Sequence, residues 1–202
     1  MTAAPFHLSG ERVMLDPNGV LYWPAAKLLA VADLHLEKGT AAARRGSLLP
    51  PWDTRLTLDR LLARITFWRP EIVVALGDSF HDRNGSARLP AAEADRLRRI
   101  AAAARLVWIQ GNHDPDPPAD LPGEHGDVLH LGPFAFRHES LSRRPSDPPP
   151  HPEERAEICG HHHPKATVPT RGGSVCRPCF VADATRVILP AFGTFTGGLD
   201  VG

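Results

Sequence analysis

The chain carries no excess charge of either sign. Lys plus Arg and Asp plus Glu each number 23 among 202 residues, for a formal net charge of zero. Such a balance excludes the long-range basic field behind bulk nucleic-acid binding. A local basic groove, or bound divalent cations, would not register in that count. Cysteine is scarce as well. Three cysteines cannot all pair, and a chain of this size needs no staples. A reducing, cytoplasmic setting is expected. Long apolar runs are missing: nothing approaches the ~20 residues of a membrane span. Met1 to Gly10 lacks the basic-then-apolar pattern of a secretory leader. No membrane partner is expected, and no internal repeat is found.

Histidine is abundant by contrast, with 11 residues, most of them beside Asp, Asn or Gly in short motifs. Hydrophobic residues make up 42% of the chain, which suits a folded core. The length fits one domain, residues 1–202.

Three apolar runs organise the first half. Leu28 to Ala32 leads into Asp33-Leu34-His35, Ile72 to Leu76 into Gly77-Asp78, and Leu106 to Gln110 into Gly111-Asn112-His113-Asp114. Short, apolar and rich in β-branched residues, each reads as a strand buried on both faces. Helical spacing separates them. Leu58, Leu61, Leu62, Ile65 and Trp68 define a helix over residues 53–68, with Asp53 as N-cap and Pro70 closing it. Leu97, Ile100, Ala101 and Ala104 define another over residues 91–105, with Pro90 in its first turn. Strand, helix, strand, helix, strand makes a parallel sheet with right-handed crossovers. Ligands bind beyond the carboxyl ends of such strands, and all three polar motifs lie there.

The second half lacks long helical periodicity. Strand-like pieces fall at residues 134–137, 157–159, 166–169, 180–182 and 187–189, which suggests a second, mainly antiparallel sheet packed on the first. Residues 143–154 are proline-rich and read as an exposed loop.

Taken singly, the motifs are ambiguous. Asp33 and His35, two apart on an extended segment, would face one ion, but a turn Asp and a surface His read the same way. Asp78 could bridge two cations with its two oxygens, or simply sit in a turn. Asn112 offers a neutral oxygen and His113 a proton, yet Asn is also common in turns. His161 and His163 in Gly160-His161-His162-His163-Pro164 would share a face, with His162 turned away. Cys176-Arg177-Pro178-Cys179 offers a rival structural zinc site, but no second Cys pair completes it; core packing of the thiols fits better. Together, mixed Asp, His and Asn donors suit Mn, Fe or Zn rather than Ca or Mg. Two such ions about 3.5–4 Å apart clamp the oxygens of an in-line displacement.

The ordered set Asp33-x-His35, Gly77-Asp78, Gly111-Asn112-His113-Asp114, His138 and Gly160-His161-x-His163 resembles the calcineurin-like metallophosphoesterase superfamily. That resemblance implies an αββα fold, two sheets flanked by helices. It implies Asp33, His35, Asp78 and His163 around one metal ion, and Asp78, Asn112, His138 and His161 around a second, bridged by Asp78. It further implies attack on phosphorus by a metal-bridging hydroxide, with His113 protonating the leaving oxygen or stabilising the transition state. His138 enters through the family pattern alone.

Within the superfamily, Gly77-Asp78-Ser79-Phe80-His81 is similar to Mre-type DNA-repair nucleases, in which this His contacts the scissile phosphate region. Phosphoprotein phosphatases carry Asp where His81 stands and Glu where Asp114 stands. The remaining length leaves no room for the DNA-capping domain of those nucleases, so double-strand exonuclease activity is not expected. Ala32 to Gly39, Leu76 to Asp82, Pro178-Cys179-Phe180 and Leu189 to Gly198 resemble the bacterial ligase-associated DNA-damage-response endonucleases of the PdeM family. That family implies a manganese-dependent phosphodiesterase acting on DNA, single-stranded or flap-like, with repair helicase and ligase partners. Lys38, Arg44, Arg45, Arg83 and Arg177 are candidate phosphate contacts, and Phe80 could stack a base or pack in the core. The alternatives are a small-molecule phosphoesterase acting on cyclic nucleotides or nucleotide phosphates, and a non-catalytic interaction protein on the same fold.

Overall fold

The computed structural model describes residues 2–115, 120–141 and 151–201. The central parallel strands fall where the apolar runs predict: β4 (Leu28–Val31), β5 (Ile72–Leu76) and β6 (Arg105–Ile109). β5 pairs in parallel with both neighbours. The amino-terminal segment adds an antiparallel meander that the apolar runs did not reveal: β1 (Ala4–Leu8), β2 (Glu11–Asp16) and β3 (Val20–Trp23). β3 joins β4 antiparallel, and β7 (Glu124–Gly126) extends the far edge. The first sheet therefore has seven strands in chain order, β1 to β7.

Burial on both faces of β4 to β6 divides the core in two. Leu28, Ala30, Val74, Leu76, Val107 and Ile109 face one way, toward Phe134, Phe136, Ile158 and Val187 of the second sheet. Leu29, Val31, Val73, Ala75, Leu106 and Trp108 face the helices. There α2 (Asp53–Trp68) buries Leu58, Leu61 and Ile65, and α3 (Ala91–Ala103) buries Leu97 and Ile100. α2 spans the predicted residues, but Asp53 does not cap it. Trp52 occupies the N-cap, and the Asp53 carboxylate instead accepts the Gly39 N–H at 3.0 Å. α3 stops at Ala103, because Arg105 already belongs to β6. A short helix, α1 (Lys38–Arg44), follows the first motif.

The second sheet comprises β8 (Val128–Leu131), β9 (Phe134–Arg137), β10 (Ala156–Cys159), β13 (Val181–Ala182) and β14 (Arg186–Ile188), ordered β13-β14-β10-β9-β8. It is not mainly antiparallel as expected: β10 runs parallel to both β9 and β14, and only the two outer pairings are antiparallel. Hairpins declare themselves through local turns, whereas β9, β10 and β14 meet across long connections. The predicted strand at 166–169 lies instead in a third sheet. There β11 (Pro164–Thr170) pairs with β12 (Gly173–Pro178) and β15 (Leu199–Asp200). Most of the proline-rich stretch 143–154 falls outside the described residues. Among the described residues no helix is long and apolar enough to cross a membrane.

Candidate metal centre

The carboxyl ends of β4, β5 and β6 bring the first three motifs together, and the loops after β9 and β10 deliver His138, His161 and His163. Two groups of donors form. Asp33, His35 and His163 have ligand atoms within 4.8 Å of one another, and so do Asp78, His138 and His161. Asp78 stands between the groups. Its Oδ1 lies 3.5 Å from His138 Nε2 and its Oδ2 lies 3.9 Å from His35 Nε2. Asn112 joins the second group, with Oδ1 at 2.9 Å from His138 Nε2. All seven candidate ligands are therefore drawn to one place.

The reason two ligands two residues apart converge is not the extended chain expected from the sequence. Asp33, His35, Asp78, His161 and His163 all have left-handed backbone, with φ between 43° and 68°. Among the described residues, five of the ten non-glycine residues with positive φ are candidate ligands. Each such residue is strained by about 1–3 kcal/mol, and such strain clusters at functional sites. Close backbone approach is also built in. A Cβ on Gly111 would lie 2.1 Å from the Asp78 nitrogen, and one on Gly77 would lie 2.5 Å from the His138 ring.

The electrostatics call for cations. Asp33 and Asp78 are buried, and among the described residues their charged-atom neighbours are histidines, with no Lys or Arg. Two buried carboxylates without a cation are costly. Histidine nitrogens also face one another: His35 Nε2 lies 3.4 Å from His163 Nε2, and His161 Nδ1 lies 3.1 Å from His138 Nε2. Ligands about 2.0–2.1 Å from a shared ion fall into this range of mutual spacing. His138 Nδ1 donates to the Leu76 carbonyl at 2.9 Å, which leaves the Nε2 lone pair free for a metal. Asp33 accepts the His161 backbone N–H at 3.0 Å, tying the last motif to the first. The donor set fits two divalent ions.

Burial pushes the His35 imidazole down to about 2, with His163, His113, His81 and Lys38 adding repulsion. Burial and the neighbouring His138 likewise lower His161. A buried histidine whose folded pKa lies below its unfolded value contributes stability present above the unfolded pKa. That stability is lost as pH falls toward the folded pKa. The thermal midpoint of metal-free protein is therefore expected to fall as pH drops from about 7 to about 5.5, the range in which an unfolded His protonates near 6.5. His35→Gln should flatten that slope; an unchanged slope in the variant would refute the assignment.

His113 and His81 stand over the Asp78 junction. The His113 N–H donates to Asp78 Oδ1 at 2.9 Å, and its ring Nδ1 bonds the His81 carbonyl at 2.9 Å. The His113 ring remains 42% exposed, open to a substrate. His35, His81 and His113 form a third group of ligand atoms within 4.8 Å. His81 Nδ1 is buried without a hydrogen-bond partner, and burial and Lys38 lower its proton affinity. Asp114, given no role from the sequence, accepts the Phe80 N–H at 2.9 Å and so ties the third motif to the second. Burial raises its carboxyl to about 6.

The candidate phosphate contacts separate. Lys38 is near the centre: it donates to the Phe195 carbonyl at 2.9 Å, and its charge depresses both His35 and His81. Arg45 acts on His81 as well, and Lys165, absent from the expected set, acts on Lys38. Arg44 and Arg83 are exposed. Arg177 does not touch the ligands but lines a neighbouring cavity. Phe80 is buried in the core. Among the described residues no metal-binding group includes Cys176 or Cys179, so the rival zinc site finds no support.

Residues 26–161 match the family described as calcineurin-like phosphoesterase, well over half the chain. The chain belongs to the calcineurin-like phosphoesterase family. Members are metal-dependent phosphoesterases, in keeping with the Asp and His groups above. Nuclease MPE of Pseudomonas putida is 34% identical over 100% of this chain and 92% of that one, with a TM-score of 0.76. That similarity is consistent with the PdeM-like endonucleases. The E. coli phosphoesterase YfcE aligns at 17% identity over 85% of this chain and 83% of that one, with a TM-score of 0.44. Comparison with curated proteins gives no match.

Proposed function

We propose that this phosphoesterase is a two-metal phosphodiesterase and a DNA endonuclease acting on single-stranded or flap-like DNA in repair. We further propose that it works in the cytoplasm with manganese. The observation that carries the reading is the placement of His113 and His81 over the junction at Asp78, beside two groups of buried and half-buried candidate ligands. Asp33, His35, Asp78 and His163 would hold one ion, and Asp78, Asn112, His138 and His161 the other. Bound there, divalent ions supply Lewis-acid polarisation of the phosphate and activation of the attacking water.

The chain's own residues do the rest. Asp78 holds the two groups in register while its Oδ1 fixes the His113 backbone. His113 Nδ1–H, donated to the His81 carbonyl, sets the ring so that Nε2 faces the Asp78 junction, 3.9 Å from Asp78 Oδ2, where it would carry a proton to the leaving oxygen. His81 and Lys38 offer donors to the phosphate oxygens. The 34% identity to a nuclease over the full chain favours a nucleic acid over a cyclic nucleotide.

Protein loaded with Mn is expected to hydrolyse bis(p-nitrophenyl) phosphate and single-stranded oligonucleotides. Cleavage of cyclic mononucleotides alone, in a side-by-side assay, would sink the DNA reading. No turnover with any divalent metal would leave only an interaction protein.

A further inference from the structure

A cavity of 320 Å³ lies against the carboxyl end of β4, lined in part by Asn18, Arg60, Arg177, Phe180, Pro190 and Ala191. The topology places it on the edge of the first sheet that carries the ligands. β3 and β4 pair with Leu21 opposite Ala30, a register that brings Gly19 level with Ala32. Ala191 bridges Ala32, and the next two residues continue the contact: the Phe192 N–H donates to the Ala32 carbonyl and the Gly193 N–H to the Asp33 carbonyl. One wall of the cavity is therefore continuous with the backbone of the first candidate ligand.

Its chemistry is cationic and apolar, and no Asp or Glu lines it. Among the described residues Arg60 donates only to carbonyls, those of Phe192 at 3.1 Å and Asn18 at 3.4 Å, with its guanidinium 4.5 Å over the Phe192 ring. Among the described residues Arg177 donates only to the neighbouring Cys176 carbonyl, at 2.9 Å. Neither makes an ion pair among the described residues. A guanidinium has five N–H donors, so both keep donors for an anion. Two uncompensated guanidinium groups between walls of Phe180, Pro178 and Pro190 match the alternation of phosphate with sugar and base along a nucleic-acid strand. A peptide would need acidic side chains in register to use the same two charges.

We propose that this groove seats the stretch of a single DNA strand flanking the scissile phosphodiester, with Arg60 and Arg177 on backbone phosphates. The inference rests on the reading of the centre as a DNA phosphodiesterase. Arg177→Glu tests it, because Arg177 is exposed and touches only its neighbour's carbonyl. Arg60 also braces Phe192, so Arg60→Gln serves as a second variant, with its thermal midpoint checked.

With Mn-loaded protein, KM on a long single-stranded oligonucleotide should rise about tenfold in Arg177→Glu, and the salt dependence of binding should lose about one unit of slope. Turnover of bis(p-nitrophenyl) phosphate, too small to reach the groove, should stay within about twofold of the wild type. An unchanged long-strand KM would overturn the proposal, as would an equal loss on both substrates. If the wild type cleaves oligonucleotides and Arg177→Glu does so equally well, only the groove is lost. If the wild type hydrolyses the small diester but no oligonucleotide, the DNA reading falls and the groove with it.

Discussion

Replacing His113 with alanine is expected to lower kcat about 10²–10⁴-fold, the range for loss of a positioned proton donor, while KM and metal content hold. His113 is exposed, its ring has the His81 carbonyl at 2.9 Å and Asp78 Oδ2 at 3.9 Å as polar neighbours, and its removal opens no cavity in the core. Its backbone N–H, which supports Asp78, survives the substitution. Metal analysis gives the experiment its discrimination. His113 shares a possible ligand group with His35 and His81. A variant that loses metal along with turnover would make His113 a ligand, and a variant with undiminished kcat would remove it from the mechanism. A fall in kcat at full metal occupancy is the signature of a group acting in the transition state alone.

Asp78→Asn is expected to strike both ions at once. The carboxylate lies between the two ligand groups and is buried with no Lys or Arg beside it among the described residues. The amide keeps the shape and can still accept the His113 N–H, so the fold survives. Bound metal should drop at both positions, and turnover should fall about 10³-fold or more, equivalent to about 4 kcal/mol of lost transition-state stabilisation. Stability should move the other way. Metal-free Asp78→Asn has one buried, uncompensated charge fewer than metal-free wild type, so its thermal midpoint should be equal or higher. Chelator should therefore destabilise the wild type and leave the variant almost unchanged. A variant that retains full metal stoichiometry would refute the bridging role.

The parts of this fold that could be read from the sequence are those fixed by local pattern. Leu28 to Val31, Val73 to Leu76 and Leu106 to Ile109 are buried on both faces, so their apolar runs are unbroken and their order follows from the helices between them. The amino-terminal meander was not read, although Asn18-Gly19 between β2 and β3 is a turn dipeptide that could have marked the hairpin. The parallel pairing of β10 with β9 and β14 was not legible, because nothing in a strand's own residues names a distant partner. The candidate ligands Asp33, Asp78 and Asn112 could be read because each follows a strand, whereas His138 came through the family pattern alone. The geometry of the set could not, because left-handed φ at Asp33 or His163 leaves no mark on residue type. Asp114 and Lys165 acquire their roles only through contacts across motifs.

The left-handed backbone of the candidate ligands would set stability and activity against each other. At Asp33, His35, Asp78, His161 and His163 a glycine would adopt the same backbone without strain, and at the two aspartates it would also delete a buried charge. Selection for a well-folded chain alone would drift toward substitutions that abolish the centre. Any effort to stabilise this protein by relaxing its least favourable backbone positions would therefore strike candidate ligands at half of them. Sequences chosen for thermal robustness would be expected to lose phosphoesterase activity first and structure last.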